Sequence, residues 1–172
     1  MQRGLIAALI ALTLDQLSKW AVVERFFKPA LDLPSLSLPQ WYESSVRLPF
    51  VQIEILPFFN FSMMWNEGVG LGMLGGSGAL PLIVLSLLII GMLLVWMARE
   101  KDPYVQIVLG LMIGGALGNV LDRARFGAVV DFLDVHAFGW HYPTFNIGDS
   151  CIVIGVALLL LQPLFKGKVR TS

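Results

Sequence analysis

Residues 79–98 read ALPLIVLSLLIIGMLLVWMA and contain no charged side chain. A helix of about 20 apolar residues crosses a hydrocarbon core of about 30 Å, so this stretch predicts a membrane-spanning helix. Three further apolar stretches lie at residues 4–23, 103–121 and 150–165. The sequence therefore predicts a mainly α-helical membrane protein with four transmembrane helices.

The composition of the whole chain agrees with this class. Of its 172 residues, 56% are hydrophobic and 14% are charged, which excludes an ordinary soluble domain. The 12 basic and 12 acidic side chains cancel, so nothing indicates a nucleic-acid partner. The length suits one domain over residues 1–172, and we expect a monomer. The single cysteine, Cys151, is expected to be a small buried residue.

The first apolar stretch carries two charges, Asp15 and Lys19. These charges and the lack of a small-residue cleavage pattern favour a retained helix over a cleaved signal peptide. Because the two residues are spaced i,i+4, they are predicted to form an ion pair that fixes this helix. The stretch at 103–121 has glycines at spacings that allow close helix packing. They are Gly110, Gly114, Gly115 and Gly118.

The distribution of basic residues predicts the orientation. One group lies in very short segments: Arg3, Arg99, Lys101, Lys166, Lys168 and Arg170. A second group is spread over long loops: Arg25, Lys28, Arg47, Arg123 and Arg125. The denser group marks the cytoplasmic side, so both termini are expected there. Residues 24–78 and 122–149 would then face outward, as a small extracytoplasmic region of strands and loops on the membrane surface.

Within the outward region, residues 29–49 are predicted to be an irregular loop and residues 50–65 to form strands. Residues 66–78 contain six glycines that allow close approach to another chain. Several aromatic residues are predicted to form a belt at the membrane interface. They are Trp41, Tyr42, Phe58, Phe59, Trp65 and Trp140.

Two acids, Asp131 and Asp149, lie near the predicted outer membrane boundary, where an ionisable group indicates a functional site. Asp131 follows two valines, an apolar setting that raises the pKa of a carboxyl group. If a helix begins near Ser150, Asp149 is expected at its N-cap or at the residue beside it. Two carboxyl groups in different surroundings suit acid–base catalysis. The spacing of Asp131 and Asp149 alone is equally compatible with two carboxylates that have separate structural roles.

Four patches of the chain, in order, resemble the lipoprotein signal peptidase (signal peptidase II) family. They are Asp15-Gln-Leu-Ser-Lys19; Asn66-Glu-Gly68-Val-Gly-Leu-Gly72; the run from Gly114 to Asp122-Arg123 with Gly127-Ala-Val-Val-Asp131-Phe-Leu-Asp134; and Phe145-Asn146-Ile-Gly-Asp149-Ser150. The resemblance covers nearly the whole chain, apart from residues 29–49.

The resemblance implies an aspartic endopeptidase in which Asp131 and Asp149 activate a water molecule. The substrate would be a diacylglyceryl-modified prolipoprotein, cut just before its lipidated cysteine to release the signal peptide. No metal or organic cofactor is implied. The resemblance also implies a multi-pass protein of the bacterial cytoplasmic (inner) membrane, in contact with membrane lipids, with its active site on the extracytoplasmic face. Which acid acts as the base stays open.

Supporting or substrate-binding roles are predicted for six residues: Asn66, Gly68, Asn119, Asp122, Arg123 and Asn146. For Asn66 and Asn146, simple turn formation or capping is the alternative. For Arg123, the alternative is a purely structural pair with Asp122. Asp134 is expected to be a solvated loop acid.

The chain departs from the family pattern in three positions and one loop. Gly70, Leu71 and Gly148 stand where alanine, phenylalanine and alanine are usual, and the 30–49 loop is longer. Gly148 is expected to make the backbone beside Asp149 more flexible. If that position is helical, glycine is about 1 kcal/mol less favourable there than alanine.

Two other kinds of function compete with the peptidase. Asp131, Asp134, His136 and His141 could in principle bind zinc in a metal-dependent membrane hydrolase, although no His-Glu-x-x-His pattern is present. A small non-enzymatic transporter would use intramembrane acids to line an ion path. Such a path needs polar groups at the midplane, where only Asp15 and Lys19 are expected.

Overall fold

The computed structural model describes residues 1–68 and 78–165, with side chains described up to Pro163. Four long helices carry the fold: α1 (Gln2–Val22), α4 (Leu80–Arg99), α5 (Pro103–Phe126) and α6 (Ile147–Phe165). A π-helical turn (Val23–Phe27) and α2 (Lys28–Ala30) continue α1, and α3 (Leu38–Glu43) lies in the following loop. The strands are β1 (Gln52–Leu56), β2 (Phe59–Asn66), β3 (Val129–Ala137) and β4 (Trp140–His141).

Three of the helices are long and apolar enough to cross a membrane: residues 2–30 as one span, α4 and α5. The apolar part of α6, Ile147–Pro163, is shorter. The prediction of a mainly helical membrane protein with a small sheet is therefore confirmed, with three to four apolar helices in the described residues, and the chain is a multi-pass membrane protein.

Helix α5 is the centre of the bundle and packs against α1, α4 and α6. Its glycines allow this, as predicted. Gly110 lies against the backbone of Gly4, and Gly114 lies against the backbone of Ala8, with no room for a side chain at either position. Close packing of backbones is the usual way in which small residues join helices in membranes.

The first helix is longer than predicted. It was expected to end at residue 23, but it continues to Ala30 because the charges at its end are paired. The Glu24 carboxylate is fully buried, 2.8 Å from the Lys28 ammonium. It also accepts a 2.5 Å hydrogen bond from the backbone N–H of Leu36. Glu24 is thus part of a helix–loop contact, not the start of an irregular loop.

Two other helix ends also differ from the sequence prediction. Helix α5 does not end at residue 121 but continues through Asp122 and Arg123 to Phe126, where Gly127 terminates it with a φ of 72°. A left-handed residue after the last turn is a common helix stop and favours glycine. Helix α6 begins at Ile147 instead of Ser150, because Asn146 caps it.

The four strands form one antiparallel sheet in the order β1-β2-β3-β4. Strands β1 and β2 confirm the prediction for residues 50–65, whereas β3 was not predicted. The register places Met64 of β2 opposite Asp131 of β3 and Asn60 opposite Asp134. Because β3 runs directly out of α5, the sheet is fixed to the end of the central helix.

The aromatic belt is wrong for Trp41. This side chain is 3% exposed and belongs to the core between the sheet, the end of α1 and the 31–49 loop. The Arg125 guanidinium lies 4.2 Å from the centre of the Trp41 ring and donates to the Trp41 carbonyl oxygen. Trp140, by contrast, is 65% exposed on β4. The loop, which includes α3, thus forms part of the core instead of an irregular covering.

Candidate active site

Asp131 lies in β3 between Val130 and Phe132, and only 2% of it is exposed. Two amides from other elements bind its carboxylate. The Asn66 side chain, at the end of β2, donates to Oδ2 at 2.9 Å. The Asn146 side chain, just before α6, donates to Oδ1 at 2.6 Å. The geometry supports the prediction that these three residues, from three separate motifs, meet at one place.

The surroundings of Asp131 favour its protonated form. Burial, and then the nearby charge of Asp149, raise the pKa of Asp131 to about 7, although the hydrogen bonds from Asn66 and Asn146 oppose the shift. A carboxyl group with such a pKa can hold or release a proton near neutral pH.

Asp149 is the third residue of α6, whereas the prediction was the N-cap or the residue beside it. Asn146 caps the helix: its side-chain oxygen accepts from the Asp149 N–H at 2.8 Å. In return, Asp149 Oδ2 accepts from the Asn146 N–H at 3.3 Å. This reciprocal pair is a capping box, with asparagine and aspartate in the usual positions of serine and glutamate. It leaves the Asp149 carboxylate facing the start of the helix.

Two asparagines link the two acids. Asn119 of α5 donates to Asp149 Oδ1 at 2.8 Å, and its own oxygen accepts from the Asn146 side chain at 3.2 Å. Since Asn146 also donates to Asp131, a continuous set of hydrogen bonds joins Asp131, Asn146, Asn119 and Asp149. The structure therefore brings together both predicted catalytic acids and three of the predicted supporting residues.

Gly68 acts through Asn66. Its backbone N–H donates to the Asn66 side-chain oxygen at 2.9 Å, and its φ is 89°, a conformation that favours glycine. This turn directs the Asn66 amide nitrogen toward Asp131. The glycines and Leu71 that follow, up to residue 77, lie outside the described residues.

Asp122 and Arg123 do not form the structural pair that was the alternative role for Arg123. Asp122 faces α1 and binds Lys19 at 2.7 Å. Arg123 faces the other way and lines a cavity of about 250 Å³ between α4, α5 and α6, together with Asn119. Its Nε is buried without a hydrogen-bond partner. The guanidinium interacts electrostatically with Asp149 and Asp131, so it is a cation beside both acids.

Asp134 is not the solvated loop acid that was expected. It lies in β3 with 4% of its surface exposed and accepts hydrogen bonds from two strands and from His141. Ser62 Oγ lies at 2.8 Å and His141 Nδ1 at 2.7 Å, while the side chains of Asn60 and Gln52 donate at 3.3 Å. Side chains alternate along a strand, so Asp134 lies on the opposite face of the sheet from Asp131.

The same alternation separates the four residues of the zinc hypothesis. His141 binds Asp134, and the His136 ring stacks on the His141 ring at 4.7 Å, but Asp131 faces away from this group. Within residues 1–68 and 78–165, no cluster of three or more His, Cys, Asp or Glu side chains is arranged to hold a metal ion.

Two residues around the site were not predicted from the sequence. Gln16 of α1 donates to both Asp15 and Asp122, each at 3.1 Å. Arg47, from the loop, donates to the Phe126 carbonyl at 2.8 Å and binds Glu67 at 2.5 Å, beside Asn66. Gln16 stands within the Asp15–Lys19 motif, which was a signal for it, whereas nothing in the sequence indicated Arg47.

Gly148 has a clearer role than loosening the backbone. A Cβ atom there would lie 2.8 Å from the Gly115 carbonyl oxygen and 3.0 Å from Asp15 Oδ1. The absence of a side chain thus allows the start of α6 to approach both α5 and α1.

Comparisons with known proteins identify the family. Residues 7–165 match the family described as Signal peptidase (SPase) II. The chain is 39% identical over 168 residues to a lipoprotein signal peptidase of Polynucleobacter necessarius, covering 95% of this chain and 90% of that one. It is 38% identical over 165 residues to a lipoprotein signal peptidase of Methylorubrum extorquens, covering 94% and 85%.

A solved bacterial membrane enzyme has a similar fold, with a TM-score of 0.72 and 25% identity over 100% of this chain and 94% of that one. Fold and site together define a multi-pass membrane protein with two linked acids where its helices meet its sheet. The chain belongs to the signal peptidase II family.

Proposed function

We propose that this protein is a lipoprotein signal peptidase, an aspartic endopeptidase that removes the signal peptide from diacylglyceryl-modified prolipoproteins. Family membership supports the reaction, because relatives that align over most of the chain are named lipoprotein signal peptidase. The observation that carries the aspartic mechanism is the link from Asp131 through Asn146 and Asn119 to Asp149.

In the proposed reaction, a water molecule attacks the carbonyl carbon of the bond before the lipidated cysteine. Asp149 accepts the proton of the water as general base, while protonated Asp131 donates to the carbonyl oxygen. The raised pKa of Asp131 supports this division of roles. Collapse of the tetrahedral intermediate breaks the C–N bond: the proton held by Asp149 passes to the cysteine nitrogen, and a hydroxyl of the intermediate returns a proton to Asp131.

Arg123 and the asparagines have supporting roles in this proposal. The unpartnered Nε of Arg123 and its place in the cavity between α4, α5 and α6 suit it to bind the substrate backbone. Asn66, Asn119 and Asn146 hold the two acids in place. Asn119 also lines this cavity, so a substrate there would lie next to a side chain that donates a hydrogen bond to Asp149.

We further propose that the protein is a monomer in the bacterial inner membrane, with both termini in the cytoplasm and the site at the outer face. The excess of basic residues in the short segments supports this orientation. The ends of α1 and α5 contact β3, and Asn146, just before α6, binds Asp131 of β3, so a site at one end of the bundle supports this orientation. There, the lipid on the substrate would hold the scissile bond close to the membrane surface and to both acids.

The test is a gel-shift cleavage assay with purified protein in detergent. It compares a diacylglyceryl-modified prolipoprotein with its unlipidated form, and wild type with Asp149→Asn. The exposed Asp32 provides a matched control, Asp32→Asn. We expect cleavage of the lipidated substrate alone by wild type and Asp32→Asn, and none by Asp149→Asn. Equal cleavage by Asp149→Asn would exclude the aspartic mechanism.

A further inference from the structure

A buried cluster beneath the two acids is organised around Lys19 of α1. Its ammonium lies 2.8 Å from Asp15 Oδ2 and 2.7 Å from Asp122 Oδ2, and all three side chains are fully buried. The Gln16 amide also binds both carboxylates. We call Asp15, Gln16, Lys19 and Asp122 the Lys19 cluster. The i,i+4 pair of Asp15 and Lys19 was predicted, but the third charged member comes from α5.

Each carboxylate of the cluster also holds the backbone just before one of the two acids. Asp15 Oδ1 accepts from the N–H of Gly148, the residue before Asp149, at 2.8 Å. Asp122 Oδ2 accepts from the N–H of Val130, the residue before Asp131, at 3.1 Å. Lys19 joins these two carboxylates, so one cation connects the backbone positions of Asp131 and Asp149.

A third connection runs through a side chain. Lys19 donates to Asn119 Oδ1 at 3.3 Å, and Asn119 donates to Asp149 Oδ1 at 2.8 Å. An ion pair that only stabilised the fold would not need contacts with the residues around the two acids. The Lys19 cluster instead contacts α5, β3 and α6, the three elements that carry Asn119 and the two acids.

From this geometry we infer that the Lys19 cluster fixes the position of Asp131 relative to Asp149, which makes Lys19 a positioning residue for peptide hydrolysis. The inference rests on the proposed function. A misplacement of about 1 Å can lower a catalytic rate about 100-fold. We therefore expect the Lys19 cluster to affect kcat more than it affects substrate binding.

The experiment has to separate positioning from stability. Removing Lys19 alone leaves two buried carboxylates without a counter-charge, which is strongly destabilising. The variant Asp15→Asn/Lys19→Met/Asp122→Asn removes all three charges and keeps an oxygen to accept from Gly148 and from Val130. The matched control is Glu24→Gln/Lys28→Met, which neutralises a second i,i+4 pair of this span, formed by buried Glu24 and partly buried Lys28.

For the triple variant we expect kcat on lipidated prolipoprotein to fall at least about tenfold while KM changes less than about twofold. The control should keep the kcat and KM of wild type. Unchanged kcat in a folded triple variant would overturn the inference. If the triple variant does not fold, Lys19→Arg replaces it: its charge stays but its shape differs, and unchanged kcat there would also overturn the inference.

A second measurement does not depend on activity. Carboxyl ¹³C resonances of labelled aspartate report the titration of Asp131, assigned by their loss in Asp131→Asn. The charged groups that act on Asp131 are Asp149 of α6, Arg123 of α5 and Lys19 of α1. Because loss of the Lys19 charge would itself move the Asp131 midpoint, the titration uses Lys19→Arg, which keeps the charge. We expect the Asp131 midpoint to move in Lys19→Arg by about half a pH unit or more, and to stay in the control. An unmoved midpoint in Lys19→Arg would contradict the inference. An inactive wild type would refute the proposed function, whereas this titration would still test whether the Lys19 cluster positions Asp131.

Discussion

Asp131 and Asp134 lie on the same strand, and both are almost fully buried, but they lie on opposite faces of the sheet and have different surroundings. On one face, Asp131 has apolar neighbours, two amide donors and a second acid nearby. On the other face, Asp134 accepts hydrogen bonds from Ser62, Asn60, Gln52 and His141.

The difference shows how one residue type takes two roles. A carboxylate with four donors is stably ionised and holds its strands together. A carboxyl group with fewer donors, low solvent access and a like charge beside it has a raised pKa and can exchange protons. We therefore expect Asp131 to act in catalysis and Asp134 to stabilise the sheet.

The largest expected effect comes from exchanging each acid for its amide. Asp131→Asn should lower kcat by about 10²- to 10⁴-fold, because it removes a group that exchanges protons with the substrate. Asp134→Asn should keep most of the activity but lower the free energy of unfolding by about 1–3 kcal/mol, because the amide cannot accept from all four donors.

Both effects are measured on purified variants, by initial rates on lipidated prolipoprotein and by thermal unfolding in detergent. Full activity in Asp131→Asn, or complete loss of activity in a folded Asp134→Asn, would reverse the assignment of the two faces.

The amides next to the two acids provide a second, smaller contrast. Asn66 binds Asp131 and Asn60 binds Asp134, and both residues lie on β2. Asn66→Ala should lower kcat about tenfold, which corresponds to about 1.4 kcal/mol in the barrier. Asn60→Ala should leave kcat near that of wild type. Steady-state kinetics on the two variants would test this difference. Equal losses of kcat in both variants would show that the two asparagines do not differ in role.

The pH dependence of activity should follow Asp131. If Asp131 must hold a proton to polarise the carbonyl, kcat/KM should fall as the pH rises through about 7, where this carboxyl group loses its proton. The measurement is a profile from about pH 5 to about pH 9 with wild type and Asp134→Asn. The two profiles should share the same alkaline limb, and a constant rate up to the alkaline end would argue against a protonated Asp131.

The smallest expected effect is on stability. The folded-state pKa of Asp131 is raised, so its protonated form stabilises the fold at low pH, and this contribution is lost as the pH rises through about 7. Asp131→Asn cannot ionise, so its Tm should exceed that of wild type at about pH 8, by about 2–4 °C for each kcal/mol. At about pH 5 the difference should be smaller. A Tm difference that grows toward acidic pH would have the wrong sign.

The sequence predicted the features that depend on local pattern. Apolar stretches located all four long helices, and the resemblance of the motifs to a known family predicted that both acids and their asparagine partners belong to a single site. The partners are Asn66, Asn119 and Asn146. The ion pair of Asp15 and Lys19 followed from their spacing on one helix, and the structure confirms it at 2.8 Å.

What the sequence could not predict depends on partners that are distant in the chain. Glu24 and Asp122 were placed at or beyond helix ends because charges interrupt an apolar pattern. Both are buried in helices, since Lys28 and Lys19 pair with them. Asp134 was expected in solvent because Ser62 and Asn60, its donors on β2, are found only once the strand register is known. A pair with Asp122 was the alternative role for Arg123, but helix geometry turns neighbouring side chains to different sides.

The proposed mechanism depends most on Asp131 and Asp149 being close enough to influence each other's protonation. The direct test is the ¹³C carboxyl titration of Asp131 in wild type and in Asp149→Asn. We predict a midpoint of about 7 in wild type and a lower one in Asp149→Asn, because the Asp149 charge is one of the two causes that raise the pKa of Asp131. An identical midpoint in both proteins would mean that the two acids do not form a shared site, and would contradict the proposed mechanism.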